Sequence, residues 1–240
     1  PTSFKSLSHP AGVTLPFDGP VDAELLLPEI RNRIVSGEYS ADLLRALSNA
    51  LEPADRVLVV GAGLGTASTL AAMRRGVERV VAVEASTELA AYLNRVHDLN
   101  GVPGVETLNA VLSVGKRGRV PFFARNDIRA SSLMPDECSW QRAMMIPCMD
   151  VNLILAELRI SLIVCEIPSG AAQLLEAAEL EPVDRILISG GDDALPPGEE
   201  ADVLRILAEK GFEHVRHGSA LMFGRTHVGR EAYVRAQDSA

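Results

Sequence analysis

Arg56-Val57-Leu58-Val59-Val60-Gly61-Ala62-Gly63-Leu64-Gly65-Thr66 decides how the rest of the chain is read. Four apolar residues run directly into glycines at alternate positions, and small residues suited to a helix follow through Ala67, Leu70, Ala71 and Met73. The pattern predicts a buried parallel strand, a tight turn and a helix N-terminus. Glycines there let the backbone turn sharply and approach a ligand where a side chain would collide. A second apolar run, Arg79-Val80-Val81-Ala82-Val83-Glu84, ends on an acid 23 positions after Gly61. That spacing suits a carboxylate accepting hydrogen bonds from a ribose hydroxyl pair. A nucleoside-containing cofactor bound between two strand ends is therefore expected.

The 240 residues suit one large domain, and 47% hydrophobic content provides material for its core. Aromatics make up only 4%, so Leu, Val, Ile and Ala must fill that core. The formal charge is −9, from 23 basic and 32 acidic side chains. This argues against nucleic acid as a partner, because phosphate binding needs clustered Lys and Arg. Cys138, Cys148 and Cys165 form neither a disulfide framework nor a paired metal-ligand spacing, so no metal is expected. Reduced thiols point to the cytoplasm, with Cys165 as a small buried hydrophobe. No signal-peptide pattern opens the chain and no apolar run is long enough for a bilayer, so no membrane partner is expected.

Residues 1–21 read as an extended surface arm. Asp22 is expected to cap a helix carrying Leu25, Leu26, Ile30 and Ile34 and ending at Gly37, with Pro28 in its first turns or kinking it. A second helix is expected over 40–51. Together 1–52 form an N-terminal arm and helices that pack on the core; a homodimer built through this arm is one partner expectation. The core domain spans 53–224 and a polar tail 225–240. Within the core, helices are expected near 87–99, 150–158, 171–180 and 199–210. Strands are expected near 104–109, 143–149, 160–167 and 183–189. The segment 111–130 reads as a short hairpin, with Gly115, Gly118 and Pro121 as turn signals, and 131–141 as a loop. Phe212–His217 and Ala220–Phe223 read as an antiparallel hairpin. The fold class is α/β: a mainly parallel, Rossmann-type sheet covered on both faces, with a helical N-terminal extension and an antiparallel C-terminal hairpin. That last hairpin belongs to class I methyltransferases more than to dinucleotide dehydrogenases.

The glycine spacing separates the cofactors further. Nicotinamide binding calls for G-x-G-x-x-G, whereas this chain has Gly61-x-Gly63-x-Gly65 followed by Thr66, a better match to S-adenosylmethionine proteins. No Tyr is followed four positions later by Lys, so one common hydride-transfer pair is absent.

Over about 29–217 the chain resembles the FkbM family of S-adenosylmethionine-dependent methyltransferases. Arg33-Ile34-Val35-Ser36-Gly37-Glu38-Tyr39 looks like the segment that precedes the family's cofactor strand. Val59-Val60-Gly61-Ala62-Gly63-Leu64-Gly65 is similar to its D-x-G-A-x-x-G turn, and Val83-Glu84-Ala85-Ser86 to its V-x-A-x-E-P strand end. Leu93-Asn94-Arg95-Val96-His97-Asp98-Leu99-Asn100 looks like its L-x-x-N-x-x-x-x-N helix. Asn109-Ala110-Val111-Leu112-Ser113 resembles the segment beside the adenine, and Ser131-Ser132 its small polar loop. Leu162-Ile163-Val164-Cys165-Glu166-Ile167-Pro168-Ser169-Gly170 falls where the family has L-I-K-I-D-V-E-G. The chain departs from the family at Val59, where an acid is usual, at Val164 for Lys, at Glu166 for Asp, and at Pro168-Ser169 for V-E.

The resemblance implies a cytoplasmic enzyme with S-adenosyl-L-methionine as cofactor, methylating an oxygen of a small molecule or glycan. Gly61, Ala62, Gly63, Gly65, Glu84, Ala85, Asn109 and Ala110 are the expected cofactor-binding residues. Glu166, emerging at the carboxyl edge of an apolar strand, is the candidate catalytic base; the alternative for it is a solvated loop acid. Asn126, Asp127, Ser131 and Ser132 are either acceptor-pocket residues or a plain polar loop. Asn94 and Asn100 read as helix-surface or helix-stop residues as readily as functional ones. His97 reads as a surface residue. His214 and His217 lie on a strand at a spacing that puts them on opposite faces, against a metal role, and Asp192-Asp193 reads as a turn. The departures motivate a second reading, a degenerate methyltransferase-fold protein acting as a binding partner, and the glycines a third, an NAD(P)-dependent oxidoreductase.

Overall fold

The computed structural model describes residues 5–124, 140, 142–167, 169–189, 195, 198–217 and 219–225. The chain opens with strands β1 (Ser6–Ser8) and β2 (Thr14–Pro16) and helices α1 (Pro20–Leu25), α2 (Pro28–Ser36) and α3 (Ala41–Ala50). Then follow β3 (Arg56–Val60), α4 (Thr66–Met73), β4 (Arg79–Glu84), α5 (Thr87–Leu99) and β5 (Glu106–Asn109). Three strands come next, β6 (Val111–Ser113), β7 (Gly118–Ala124) and β8 (Arg142–Asp150), leading into α6 (Val151–Leu158). The remainder is β9 (Leu162–Cys165), α7 (Ala171–Ala177), β10 (Arg185–Ile188), α8 (Glu199–Glu209), β11 (Phe212–His217) and β12 (Ala220–Arg225).

Seven strands form the central sheet in the order β11-β12-β10-β9-β3-β4-β5. Only β12 runs against its neighbours. Numbering these strands by their place in the sheet's own chain order gives 3-2-1-4-5-7-6 from the β5 edge, the class I methyltransferase topology. The strands alternate strictly in which core they enter, as two covered faces require. Leu58, Val60, Val81, Val83, Ile163 and Ile186 face α6, α7 and α8. Val57, Val59, Val80, Ala82, Leu162 and Val164 face α3 and α4.

The N-terminal segment is more closely packed than an extended surface arm. Its β1–β2 hairpin buries Val13 and Leu15 completely, against α2 and the Leu89, Tyr92 and Val96 stripe of α5. The expected single helix is two, because Pro28 sits at the first turn of α2 and the chain breaks at Leu26-Leu27. Asp22 is not the cap. Gly19 holds that position, while the buried Asp22 carboxylate accepts from Asp18 N–H and from Arg95 on α5.

The expected 111–130 hairpin is also replaced. β6 and β7 do not pair with each other; β8 lies between them, parallel to β6 and antiparallel to β7. Phe122, Ile146 and Cys148 are buried in this small sheet, and the half-exposed Trp140 stacks obliquely on Phe123 with ring centroids 5.5 Å apart. Of the three turn signals Gly115 falls between β6 and β7, whereas Gly118 opens β7 and Pro121 lies within it, and local patterning says nothing about a strand 20 or more residues later taking the middle position.

Where β3 and β10 begin, a buried ion pair ties the sheet together. Arg185 donates to Asp55 Oδ1 (2.5 Å), which also accepts from Ser161 Oγ (2.7 Å). The other Asp55 oxygen accepts from Glu52 N–H, and Arg185 further donates to the Ala50 carbonyl.

Candidate functional site

The parallel strands β3, β4, β5 and β9 end at one edge, in register: Val60 pairs with Val83 and Cys165, and Glu84 with Asn109. Chain connections leave β3 towards β4 on one side, and β9 flanks it on the other. The β3 end is thus the point where strand order reverses, the place where open α/β sheets bind ligands.

All three glycines after β3 have left-handed backbones, with φ of +76° at Gly61, +53° at Gly63 and +81° at Gly65. They serve different purposes. A Cβ on Gly61 would lie 2.7 Å from Ile167 Cγ2 and 3.2 Å from the Glu166 carbonyl carbon, so Gly61 admits the end of β9. A Cβ on Gly65 would lie 2.6 Å from Leu93 Cδ2, so Gly65 admits α5. At Gly63 the nearest atom is the Gly61 carbonyl oxygen at 3.8 Å, and the position faces open space. Gly63 alone among the three is free to let a ligand approach.

Glu84 binds this turn from the end of β4. Its Oε2 accepts from Gly63 N–H (2.9 Å) and its Oε1 from Ser86 N–H (2.7 Å). Burial pushes the Glu84 carboxyl above the usual carboxylate range, against the opposing pull of the Ser86, Gly63 and Ala85 N–H groups. The three N–H groups leave part of the carboxylate's acceptor capacity unused. Ala62, buried, and Gly61 both donate their N–H to the Val83 carbonyl, at 3.0 and 2.9 Å.

Asn109, at the end of β5, organises the β4–α5 loop. Its Nδ2 donates to the Glu84 and Ala85 carbonyls, each at 2.9 Å, and its Oδ1 accepts from Thr87 Oγ1 (3.0 Å). The buried Ala110 donates its N–H to the Glu84 carbonyl (3.1 Å). The geometry brings Gly63, Glu84, Ala85, Asn109 and Ala110 together around the adjacent ends of β3, β4 and β5.

Glu166 follows β9 on the other side of the glycine turn. Its N–H donates to the Val60 carbonyl (2.8 Å), and its Oε1 is shielded from solvent. The neighbouring Cys165 is fully buried and its thiol is pushed up to about 12, by burial first, with the Glu166 and Glu199 carboxylates adding to the shift. The buried apolar role expected for it holds. Val59 and Val164 are completely buried on the α3 and α4 face.

His97 is not a surface residue. It is 2% exposed, because its helix position faces β5 and the start of α4, and its imidazole lies 2.9 Å from Ser68 Oγ. Asn94 is exposed. Asn100 ends α5 as expected and also latches the N-terminal hairpin: Oδ1 accepts from Thr14 N–H, and Nδ2 donates to the Thr14 and Val96 carbonyls. Asn126, Asp127, Ser131, Ser132, Cys138, Pro168, Gly190 to Asp193 and the tail beyond Arg225 lie outside the described residues. Among the described residues, no group of three or more His, Cys, Asp or Glu side chains is arranged to hold a metal, and no helix is long and apolar enough to cross a membrane.

Ser86 is the site residue that the sequence reading missed. Its side chain caps α5 by accepting from Leu89 N–H (3.3 Å), and its backbone N–H grips Glu84. A Ser directly before an amphipathic run was the available signal.

No family model matches the chain, and no curated protein matches it. Among solved structures it is similar to a ribosomal protein L11 methylase from Lactobacillus delbrueckii subsp. bulgaricus, at 15% identity over 78% of this chain and 77% of that one, with a TM-score of 0.46. It is similar to a precorrin-6y C5,15-methyltransferase from Geobacter metallireducens, at 12% identity over 79% and 89%, with a TM-score of 0.45. A SAM-dependent methyltransferase from Aquifex aeolicus overlaps over 86% and 92%, at 18% identity and a TM-score of 0.40.

Proposed function

We propose that the chain is an S-adenosylmethionine-dependent methyltransferase acting on an oxygen of a small molecule or glycan, in keeping with its resemblance to the FkbM family. The observation that carries this reading is the pairing of Glu84 with the Gly63 N–H at the strand-order reversal, beside a glycine position that opens onto free space. A buried acid with remaining acceptor capacity suits a ribose hydroxyl pair, and the uncrowded Gly63 backbone suits the methionine portion.

When bound, the cofactor supplies an electrophilic sulfonium methyl. Glu84 would accept hydrogen bonds from the ribose, with Ala85, Asn109 and Ala110 bordering the adenine end. Gly63 would pass along the methionine portion, while Gly61, Ala62 and Gly65, packed against Ile167, the core and Leu93, would shape the turn that presents it. Glu166 stands across the turn, suited to take the proton of an acceptor hydroxyl. The protein's share of the work is to orient the acceptor and exclude water.

Val59 favours a second reading, a methyltransferase-fold protein without catalysis that acts as a binding partner. A buried valine replaces the usual acid, so that acid's help with the charged methionine end is missing.

Calorimetric titration with S-adenosylmethionine, S-adenosylhomocysteine and NADH tests these readings. Micromolar binding of the first two, abolished in Glu84→Ala, supports the cofactor assignment; binding of NADH alone overturns it. With binding established, transfer of a labelled methyl group to an acceptor panel separates the enzyme from the binding partner.

A further inference from the structure

A buried polar chain runs beneath the glycine turn, and nothing in the proposed chemistry uses it. Ser68, in the first turn of α4 and inaccessible to solvent, donates its hydroxyl hydrogen to the Gly65 carbonyl (3.2 Å). That hydroxyl has one hydrogen. With that hydrogen on the Gly65 carbonyl, the 2.9 Å contact with His97 Nε2 is one in which the imidazole donates, from a proton on Nε2. Nδ1 is left as an acceptor, facing Thr107 Oγ1 of β5 at 3.5 Å. The three side chains join β5, α5 and α4, and Ser68 carries the chain to the carbonyl of the last glycine in the turn, which also accepts from Thr69 N–H (3.0 Å).

We propose that His97 is a positioning residue for the cofactor turn. Acting through Ser68, the neutral Nε2–H tautomer holds the Gly65 carbonyl and so fixes the turn whose Gly63 N–H is engaged by Glu84. This rests on the cofactor reading above for its functional consequence, though not for its effect on the turn itself. The device is economical of space. Gly65 lacks a side chain because Leu93 of α5 fills the position, so α5 both crowds the turn and, four residues later, holds it by a hydrogen bond. Burial lowers the imidazole pKa and keeps the ring neutral, as the donor–acceptor arrangement demands.

The test compares His97→Phe, which fills the space without a donor, with His97→Gln, whose side-chain amide restores one at the place of Nε2. Amide hydrogen exchange of Gly63 and Gly65, measured without ligand, should quicken roughly fivefold in His97→Phe, as expected for loss of one buried hydrogen bond, and return towards wild type in His97→Gln. Amides of β10 and β12 serve as the internal reference and should not change. Affinity for S-adenosylhomocysteine should fall by a similar factor in His97→Phe and recover in His97→Gln. Unchanged exchange at the glycines in a folded His97→Phe protein overturns the proposal, as does an equal loss in both variants. If the wild-type protein binds no S-adenosylhomocysteine while the glycine exchange responds as expected, the cofactor reading fails and the positioning of the turn stands.

Discussion

Each glycine of the turn answers to a different neighbour, and substitution should separate them. Ala at position 63 meets no atom within ordinary contact distance except the Gly61 carbonyl oxygen, so its penalty is that of a left-handed alanine, about 1 kcal/mol. Ala at position 61 adds a collision with Ile167 and the Glu166 backbone and should cost roughly 3 kcal/mol. Urea denaturation of Gly63→Ala and Gly61→Ala measures the difference. Gly63→Ala should nevertheless lose the larger share of S-adenosylhomocysteine affinity relative to its stability cost, because its methyl group projects into the proposed cofactor path. A second residue-scale prediction concerns acid. The imidazole of His97 is pushed down to about 4 by burial, with the Asp98 carboxylate opposing the shift. A histidine with a depressed folded pKa takes up its proton in the unfolded chain first. Its contribution to stability is therefore complete above the ordinary value of 6.5 and is lost as pH falls from there towards 4. NMR titration of the imidazole should give that low midpoint, and His97→Phe should flatten the stability profile over the same interval.

At the scale of elements, the N-terminal hairpin depends on α5 for its place. Asn100 makes three hydrogen bonds at the helix end, two of them to Thr14, and Tyr92 donates its hydroxyl to the Pro16 carbonyl (2.8 Å). Asn100→Ala should destabilise the protein by about 2 kcal/mol and Tyr92→Phe by about 1 kcal/mol. Denaturant melts give the totals, and amide exchange at Leu7 and Leu15 shows whether the hairpin opens first. This docking explains why the reading of 1–21 as a surface arm fell short. Val13 and Leu15 are scattered among Pro, Gly and Ser, too few to give a strand period, and their burial comes from a helix more than 70 residues away. The same limit applied to 111–130. An apolar run leading into glycines and another ending on an acid made β3, β4 and the helices after them legible. The order of β6, β8 and β7 depends on pairing between distant segments, which leaves no mark on local periodicity.

Across the whole molecule, the glycine edge and the Arg185–Asp55 pair lie at opposite ends of the strands. Removing the buried arginine leaves a buried carboxylate with only neutral donors, so Arg185→Ala should cost roughly 3–5 kcal/mol in urea denaturation. Cofactor affinity of the folded fraction should change little, since the pair sits far from the glycine turn along β3. The sequence reading reached the architecture through Gly61 and Glu84, because their chemistry and spacing are confined to two neighbouring strands. It did not reach His97, Ser68 or Ser86. Their roles depend on which helix face meets which strand, and a polar residue on an amphipathic helix carries no label telling solvent from a buried partner.

Trp140 is the chain's one tryptophan, and it stacks on Phe123 of the small sheet, whose strands do not pair with the seven-stranded sheet. Intrinsic fluorescence excited selectively at the indole therefore watches the small sheet alone. A thermal or denaturant scan followed by that emission can register the small sheet loosening while far-ultraviolet circular dichroism still sees an intact core. Agreement of the two optical midpoints would mean that the small sheet and the core melt as one cooperative unit, and a gap between them would mean that the small sheet opens on its own.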